Sequence, residues 1–229
     1  MATDKIIVAL DYASAEEAMS MVHQLKDHIG FYKIGSQLFT LEGPAVVKAV
    51  LAEGVDVMLD LKFHDIPVTV IKSIEAVKDL GCRFATLHTT GGAEMMLAAQ
   101  LGTENSNLEL LGVTVLTSMD SDTLGMVGFD HSVPGQVMML ARLASQCGLS
   151  GLVCSPQEIG FLREMLEIPM KLVTPGIRAK DAETDDQRRT MTPSQALEEG
   201  ADHIVIGRPI TKAPDPAAAA RAILDECGL

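Results

Sequence analysis

Eight short, mostly apolar runs rich in β-branched residues recur along the chain, with starts roughly 20 to 40 residues apart and a capped helical pattern after each. They are Ile6–Asp11, Phe31–Ile34, Val55–Leu61, Phe84–Leu87, Leu110–Leu116, Gly151–Cys154, Lys171–Val173 and His203–Ile206. Continuous apolar runs of this length suit strands buried on both faces, and that spacing suits parallel strands joined by crossover helices. Eight such units in 229 residues predict an α/β fold, a (β/α)8 TIM barrel forming one catalytic domain over residues 1–229. An open doubly wound sheet is the alternative. It would ordinarily carry a glycine-rich dinucleotide or P-loop turn, and the chain has neither motif.

The helices announce their ends. Ser14 with Glu17 three residues on reads as a capping box, and Ala18, Met19, Val22, Leu25 and Ile29 then keep one face, with Gly30 expected as a left-handed exit. Ser155-Pro156, Thr192-Pro193 and Asp215-Pro216 each place a cap before a first-turn proline, and Gly54, Gly81, Gly148 and Gly200 fall at helix exits. Two polar connections, Ser118–His131 and Gly176–Met191, are longer than barrel loops usually are and follow the fifth and seventh strands. Long loops at that face of a barrel often cover substrate; the plainer alternative is a solvated loop.

Composition narrows the function. With 18 Lys and Arg against 31 Asp and Glu the net charge is −13, without a basic run or a tryptophan, so no nucleic-acid partner is expected and an anionic ligand needs a local pocket. The apolar run after the N-terminus is too short for a signal peptide or a membrane span. Cysteines 82, 147, 154 and 227 show no C-x-x-C spacing and read as reduced, mostly buried thiols of a cytoplasmic protein.

Charges gather at the ends of the first three strands: Asp11, Lys33, and the pair Asp60 and Lys62. Residues two apart on a strand share a face, and neighbouring strands lie about 4.8 Å apart, so Lys33 can approach Asp60. A single Asp/Lys pair there would be an ordinary ion pair. Four alternating charges on the catalytic face point to chemistry. Carboxylates beside a lysine favour its ammonium form, which suits it to neutralising a developing anion and delivering a proton rather than to forming an imine. Asp65 lies beyond the strand, and spacing leaves open whether its carboxylate returns to this site.

The turns after strands seven and eight, Thr174-Pro-Gly-Ile-Arg178 and Ile206-Gly207-Arg208-Pro209, stand where barrels commonly bind phosphate. Gly207 would let backbone N–H groups approach the oxygens and Arg208 would supply a bidentate cation, with Arg178 and Gln187 on the long loop able to close over them. His64, His88 and His203 lie near strand ends without metal-type spacing, and a structural hydrogen bond is their commoner role. No metal site and no cofactor are expected.

At Leu59-Asp60-Leu61-Lys62-Phe63-His64-Asp65-Ile66-Pro67 the sequence closely resembles the bacterial orotidine 5′-monophosphate decarboxylases. Val8–Tyr12, Lys33, Val113–Met119, Leu172–Arg178, Asp186–Arg189 and Val205–Pro209 look like further landmarks of that family, in its order and nearly end to end. The resemblance implies decarboxylation of orotidine 5′-monophosphate to UMP with no cofactor, Lys62 as proton donor, Asp60 beside the departing carboxylate, and Lys33 and Asp65 completing the tetrad. It further implies that Asp11 and Lys33 hold ribose hydroxyls, Thr117 the pyrimidine edge, and Arg178, Gln187, Gly207 and Arg208 the phosphate region. The family is a homodimer, so Asp65, Ile66 and Thr69 would reach the partner's site.

Three other readings compete. A magnesium-dependent sugar-phosphate decarboxylase would lose activity to a chelator, and a Schiff-base aldolase would be trapped by borohydride. Lys62 between Asp60 and Asp65 counts against both. A silent nucleotide-binding barrel would bind UMP without turnover and would not need alternating charges.

Overall fold

Eight parallel strands hydrogen-bond in chain order and the eighth returns to the first, closing a barrel. The computed structural model describes residues 3–166, 170–177 and 191–229. The strands are β1 (Ile6–Ala9), β2 (Phe31–Gly35), β3 (Asp56–Phe63), β4 (Phe84–His88), β5 (Glu109–Val113), β6 (Gly151–Val153), β7 (Lys171–Thr174) and β8 (His203–Ile206). Each expected run therefore forms a strand, with ends shifted by up to three residues. Closure is carried by pairs such as Ile6↔Ile204 between β1 and β8.

The helices fall between them as the periodicity predicts: α1 (Ala15–Leu25), α2 (Ser36–Glu42), α3 (Pro44–Ala52), α4 (Pro67–Leu80), α5 (Gly92–Gly102), α6 (Ser121–Met126), α7 (Val133–Gln146), α8 (Ile159–Met165), α9 (Pro193–Glu198), α10 (Arg208–Thr211) and α11 (Pro216–Cys227). Ser14 caps α1 by accepting from the Glu17 N–H at 3.3 Å, Thr192 and Gln195 form a reciprocal box at α9, and the Asp215 carboxylate accepts from the Ala218 N–H at 2.9 Å. Gly54, Gly81, Gly148 and Gly200 all carry positive φ.

Gly30 does not. The chain leaves α1 at Lys26 in a right-handed conformation, and a turn closed by the His28 N–H on the Leu25 carbonyl carries it to Ile29, which bridges Thr3. Gly30 already belongs to the sheet approach, bonding Thr3 and Asp56 through its backbone. The connection after β5 also departs from a plain polar loop. Asp120 accepts from the Thr123 N–H at 2.9 Å and so nucleates α6 within it.

Two apolar layers result. The larger lies between strands and helices. The smaller, Ile7, Ala9, Phe31, Met58, Phe84, Leu111, Val173 and Val205, takes residues of one parity from the strands and fills the barrel interior. At its lower end Phe31 and Phe84 meet at 5.1 Å between centroids, His203 stands edge-on to both, and the Arg83 guanidinium lies over both rings. His203 shares a hydrogen bond of 2.8 Å with the Asp4 carbonyl, and burial holds its imidazole below the usual histidine range. It is a floor residue at the end remote from the charged strand tips.

Gly151 sits where this packing is tightest: a Cβ there would lie 2.5 Å from the Lys171 carbonyl oxygen and 2.8 Å from Leu111 Cδ2. Gly151→Ala should destabilise the fold by about 1–3 kcal/mol through overpacking. Urea unfolding checks this: the midpoint should drop at constant m-value, and an unmoved midpoint would show that the β6–β7 contact yields freely.

Candidate active site

Alternation along each strand hands the barrel interior from apolar to charged residues near the C-terminal ends: Ala9 to Asp11 after β1, Phe31 to Lys33 on β2, Met58 to Asp60 and Lys62 on β3. Register sets their meeting. Lys33 pairs with Ala9 on one side and Met58 on the other, so it lies one alternation below both Asp11 and Asp60 and reaches up between them. Its Nζ is 3.0 Å from Asp11 Oδ1 and 3.8 Å from Asp60 Oδ2, while Lys62 Nζ donates to both Asp60 oxygens at 2.8 and 2.9 Å. The order of charges is Asp11, Lys33, Asp60, Lys62. Asp60 keeps 13% of its side chain exposed and Lys33 12%, against 34% for Lys62 and 62% for Asp11, so the inner pair is the desolvated one.

Burial by itself would raise the Asp60 carboxyl pKa. The positive charges of Lys33 and Lys62, with hydrogen bonds from Lys62 and Thr86, outweigh that and hold it below the ordinary carboxylate range. Lys62 is also unusual in its backbone, with φ +51, in the left-handed region that a lysine rarely takes. The β3–β4 register shifts there: from Leu59 to Phe63 β3 advances four residues while β4, from Ala85 to Leu87, advances two. This bulge re-aims the Lys62 side chain at Asp60.

These charges line one wall of a cavity of about 540 Å³ at the strand C-termini. Thr117 and Ser118 line it after β5, Pro175 and Gly176 after β7, and Gly207 and Arg208 after β8. Asp11, Lys33, Asp60, Lys62, Thr117, Gly207 and Arg208 thus line one pocket. Arg178 and Gln187, and most of the loop Gly176–Met191, lie outside the described residues; the ends of that loop are joined by an Ile177↔Met191 bridge.

Asp65, Ile66 and Thr69 do not line this cavity. Asp65 is exposed and its carboxylate accepts from the Ile66 N–H at 2.6 Å, just ahead of α4. Ile66 and Val68 present large apolar side chains to solvent, 62% and 56% exposed.

The rings of His64 and His88 meet at a tilt with centroids 5.6 Å apart near the bulge, and burial, with the neighbouring His64 and Lys62, pushes the His88 imidazole below its usual range. Among the described residues no three His, Cys, Asp or Glu side chains come together as a metal site needs. Cys154 lies at the cavity wall, but burial pushes its thiol up to about 12, which leaves almost no thiolate at neutral pH.

Two residues escaped sequence reasoning. Lys212, just past α10, adds a cation near Arg208 at the cavity rim. Thr86 on β4 touches both Asp60 and Lys62. Its signal was the alternation Phe84, Thr86, His88, which puts it on the interior face.

The sequence model of the "Orotidine 5'-phosphate decarboxylase / HUMPS family" matches residues 4–223. The chain is 48% identical over 225 residues to an orotidine 5'-phosphate decarboxylase of Nitrosococcus oceani, covering 97% of each, and 50% identical over 228 residues to that of Opitutus terrae, covering 99% of each. It is similar in structure to the crystal structure of orotidine 5'-phosphate decarboxylase from Lactobacillus acidophilus, with TM-score 0.87, 37% identity, 99% of this chain and 100% of that one covered.

The charge order makes a prediction independent of any substrate. Replacing Lys33 with Met removes the foremost of the charges that depress the Asp60 carboxyl, so its titration should move to higher pH, as followed by carboxyl carbon NMR. A midpoint that stays in place would mean the 3.8 Å approach carries no coupling.

Proposed function

The chain belongs to the orotidine 5'-phosphate decarboxylase / HUMPS family, and on that premise we propose that it converts orotidine 5'-monophosphate to UMP as a carboxy-lyase of pyrimidine biosynthesis. The observation that carries this reading over the other activities of such barrels is the Asp60–Lys62 pair, with the Lys62 ammonium bonded to both carboxylate oxygens inside a cavity that also holds Arg208. An ammonium so engaged is poorly suited to imine formation, and Asp60, engaged with two lysines, is poorly suited to binding a metal.

The chemistry follows from where charge must develop. Breaking the bond from pyrimidine C6 to its carboxylate releases CO₂ and leaves an electron pair in the ring plane, out of conjugation with the π system, so stabilisation has to be electrostatic. Lys62 neutralises that pair and passes a proton from Nζ to C6, giving UMP; the amine then regains a proton from solvent. Asp60 repels the substrate carboxylate in the ground state, a repulsion relieved as neutral CO₂ departs. Asp11 and Lys33 hold ribose hydroxyls and Thr117 the pyrimidine edge. Arg208 and the Gly207 backbone bind phosphate together with Arg178 and Gln187 of the long loop, whose closure applies remote binding energy to the reacting centre.

The active unit in this reading is a homodimer of single-domain barrels, in which Asp65, Ile66 and Thr69 of each subunit complete the partner's site. The exposed apolar side chains of Ile66 and Val68 at the start of α4 support such an interface. Four free cysteines, three of them buried, support a reducing compartment, the cytoplasm. Among the described residues no helix is long and apolar enough to cross a membrane.

An ultraviolet assay of orotidine 5'-monophosphate tests the reaction: absorbance should change on addition of enzyme at the same rate with and without chelator. UMP binding without turnover would instead favour the silent barrel. Lys62→Ala should lower kcat by more than about 1000-fold, and a variant retaining full activity would remove Lys62 from the mechanism.

The shared site has its own test. Lys62→Ala and Asp65→Ala, each nearly inactive alone, should regain activity when unfolded and refolded together, because a hybrid dimer rebuilds one intact site. Absence of recovery in mixtures shown by mass to contain hybrids would place Asp65 outside the partner's site.

A further inference from the structure

Thr86 is completely buried, and its one hydroxyl makes two bonds to the reacting segment: it accepts from the Lys62 backbone N–H at 2.9 Å and donates to Asp60 Oδ1 at 2.9 Å. Neither is a strand-ladder bond. They fall inside the register shift, where β3 has two residues more than β4 needs and where the Lys62 amide would otherwise be stranded without a β4 carbonyl opposite it. The same stretch contains the left-handed φ of Lys62, a conformation that persists only where the surroundings impose it.

From this we infer that Thr86 is a positioning residue for the reaction: it holds the bulge so that the Lys62 ammonium and the Asp60 carboxylate stand at a fixed separation on the cavity wall. The inference rests on the decarboxylase reading above and adds a role to it. A hydroxyl is both donor and acceptor, so at this place it can satisfy an amide and a carboxylate simultaneously. Valine has the same shape and can do neither. Serine can do both.

With the hydroxyl gone, the carboxylate keeps Lys33 as a partner but loses the lateral anchor, and the amide of Lys62 is free to rotate toward a more ordinary φ, carrying the ammonium away from the reacting carbon. Misplacement of this kind acts on the chemical step and spares Asp11, Lys33, Gly207 and Arg208, the cavity-lining residues to which the proposed function assigns ribose and phosphate. Thr86→Val should therefore lower kcat by about 10- to 100-fold while KM for orotidine 5'-monophosphate and the calorimetric Kd for UMP stay within about threefold. Thr86→Ser should restore most of kcat. If Thr86→Val does not fold, as judged by circular dichroism, Thr86→Ala takes its place in the same measurements.

A kcat within about twofold of the parent, or Thr86→Ser failing as badly as the valine variant, overturns the inference. A crystal structure of the hydroxyl-free variant decides it by a separate route. Lys62 should leave its positive φ or its Nζ should part from Asp60, and unchanged geometry refutes the role. A parent enzyme inert toward orotidine 5'-monophosphate would sink the proposed function, while the crystallographic comparison would still judge Thr86.

Discussion

Two carboxylates and two ammonium groups packed within ion-pair distance at the mouth of a barrel can share that space only if their signs alternate. Like charges side by side at such distances would repel, and a buried ion stripped of its partner costs on the order of 3–5 kcal/mol. Asp11, Lys33, Asp60 and Lys62 satisfy the condition in order across three adjacent strands. The inner two carry the burden, because they have lost most of their water. Everything that surrounds them, the register of β2 against its neighbours, the bulge in β3 and the hydroxyl of Thr86, serves to keep that order in place.

Arrangement of this kind also selects chemistry. Lys62 has a fixed counter-ion already, so an incoming carboxylate gains little from it in the ground state and meets Asp60 besides. In the proposed reaction the carboxylate leaves as neutral CO₂, which ends its repulsion by Asp60, while the Lys62 ammonium faces the pair of electrons left behind. In that reaction the binding that offsets the initial repulsion comes from elsewhere in the substrate, and the turn at Gly207 and Arg208, which lines the same cavity just after the strand next to β1, would supply it through the phosphate.

Much of this was legible before any coordinates. The eight short apolar runs at βα spacing and the caps, prolines and most of the glycines on the helices set the barrel, since these local signals agree with the tertiary fold. Even the approach of Lys33 to Asp60 followed from parity and strand spacing. What stayed hidden was of another sort. Gly30 looked like a helix exit because the local grammar allowed it, whereas the Thr3–Ile29 bridge, a contact between distant parts of the chain, decided where α1 ends. The left-handed Lys62 could not be foreseen, because lysine has no preference for that region and the bulge arises only from pairing β3 with β4. Thr86 was missed for a related reason: a threonine in a strand is unremarkable until its neighbour's backbone is known to be out of step.

The floor of the barrel has a consequence for traffic. Phe31, Phe84 and His203, with Arg83 against the two phenyl rings, stop the lower end with tilted and edge-on rings. Passage through this floor is closed among the described residues, and the cavity is reached from the strand C-termini. In the proposed reaction CO₂ and UMP would share that mouth, and the nucleotide, held at its phosphate, would be the slower of the two to clear it.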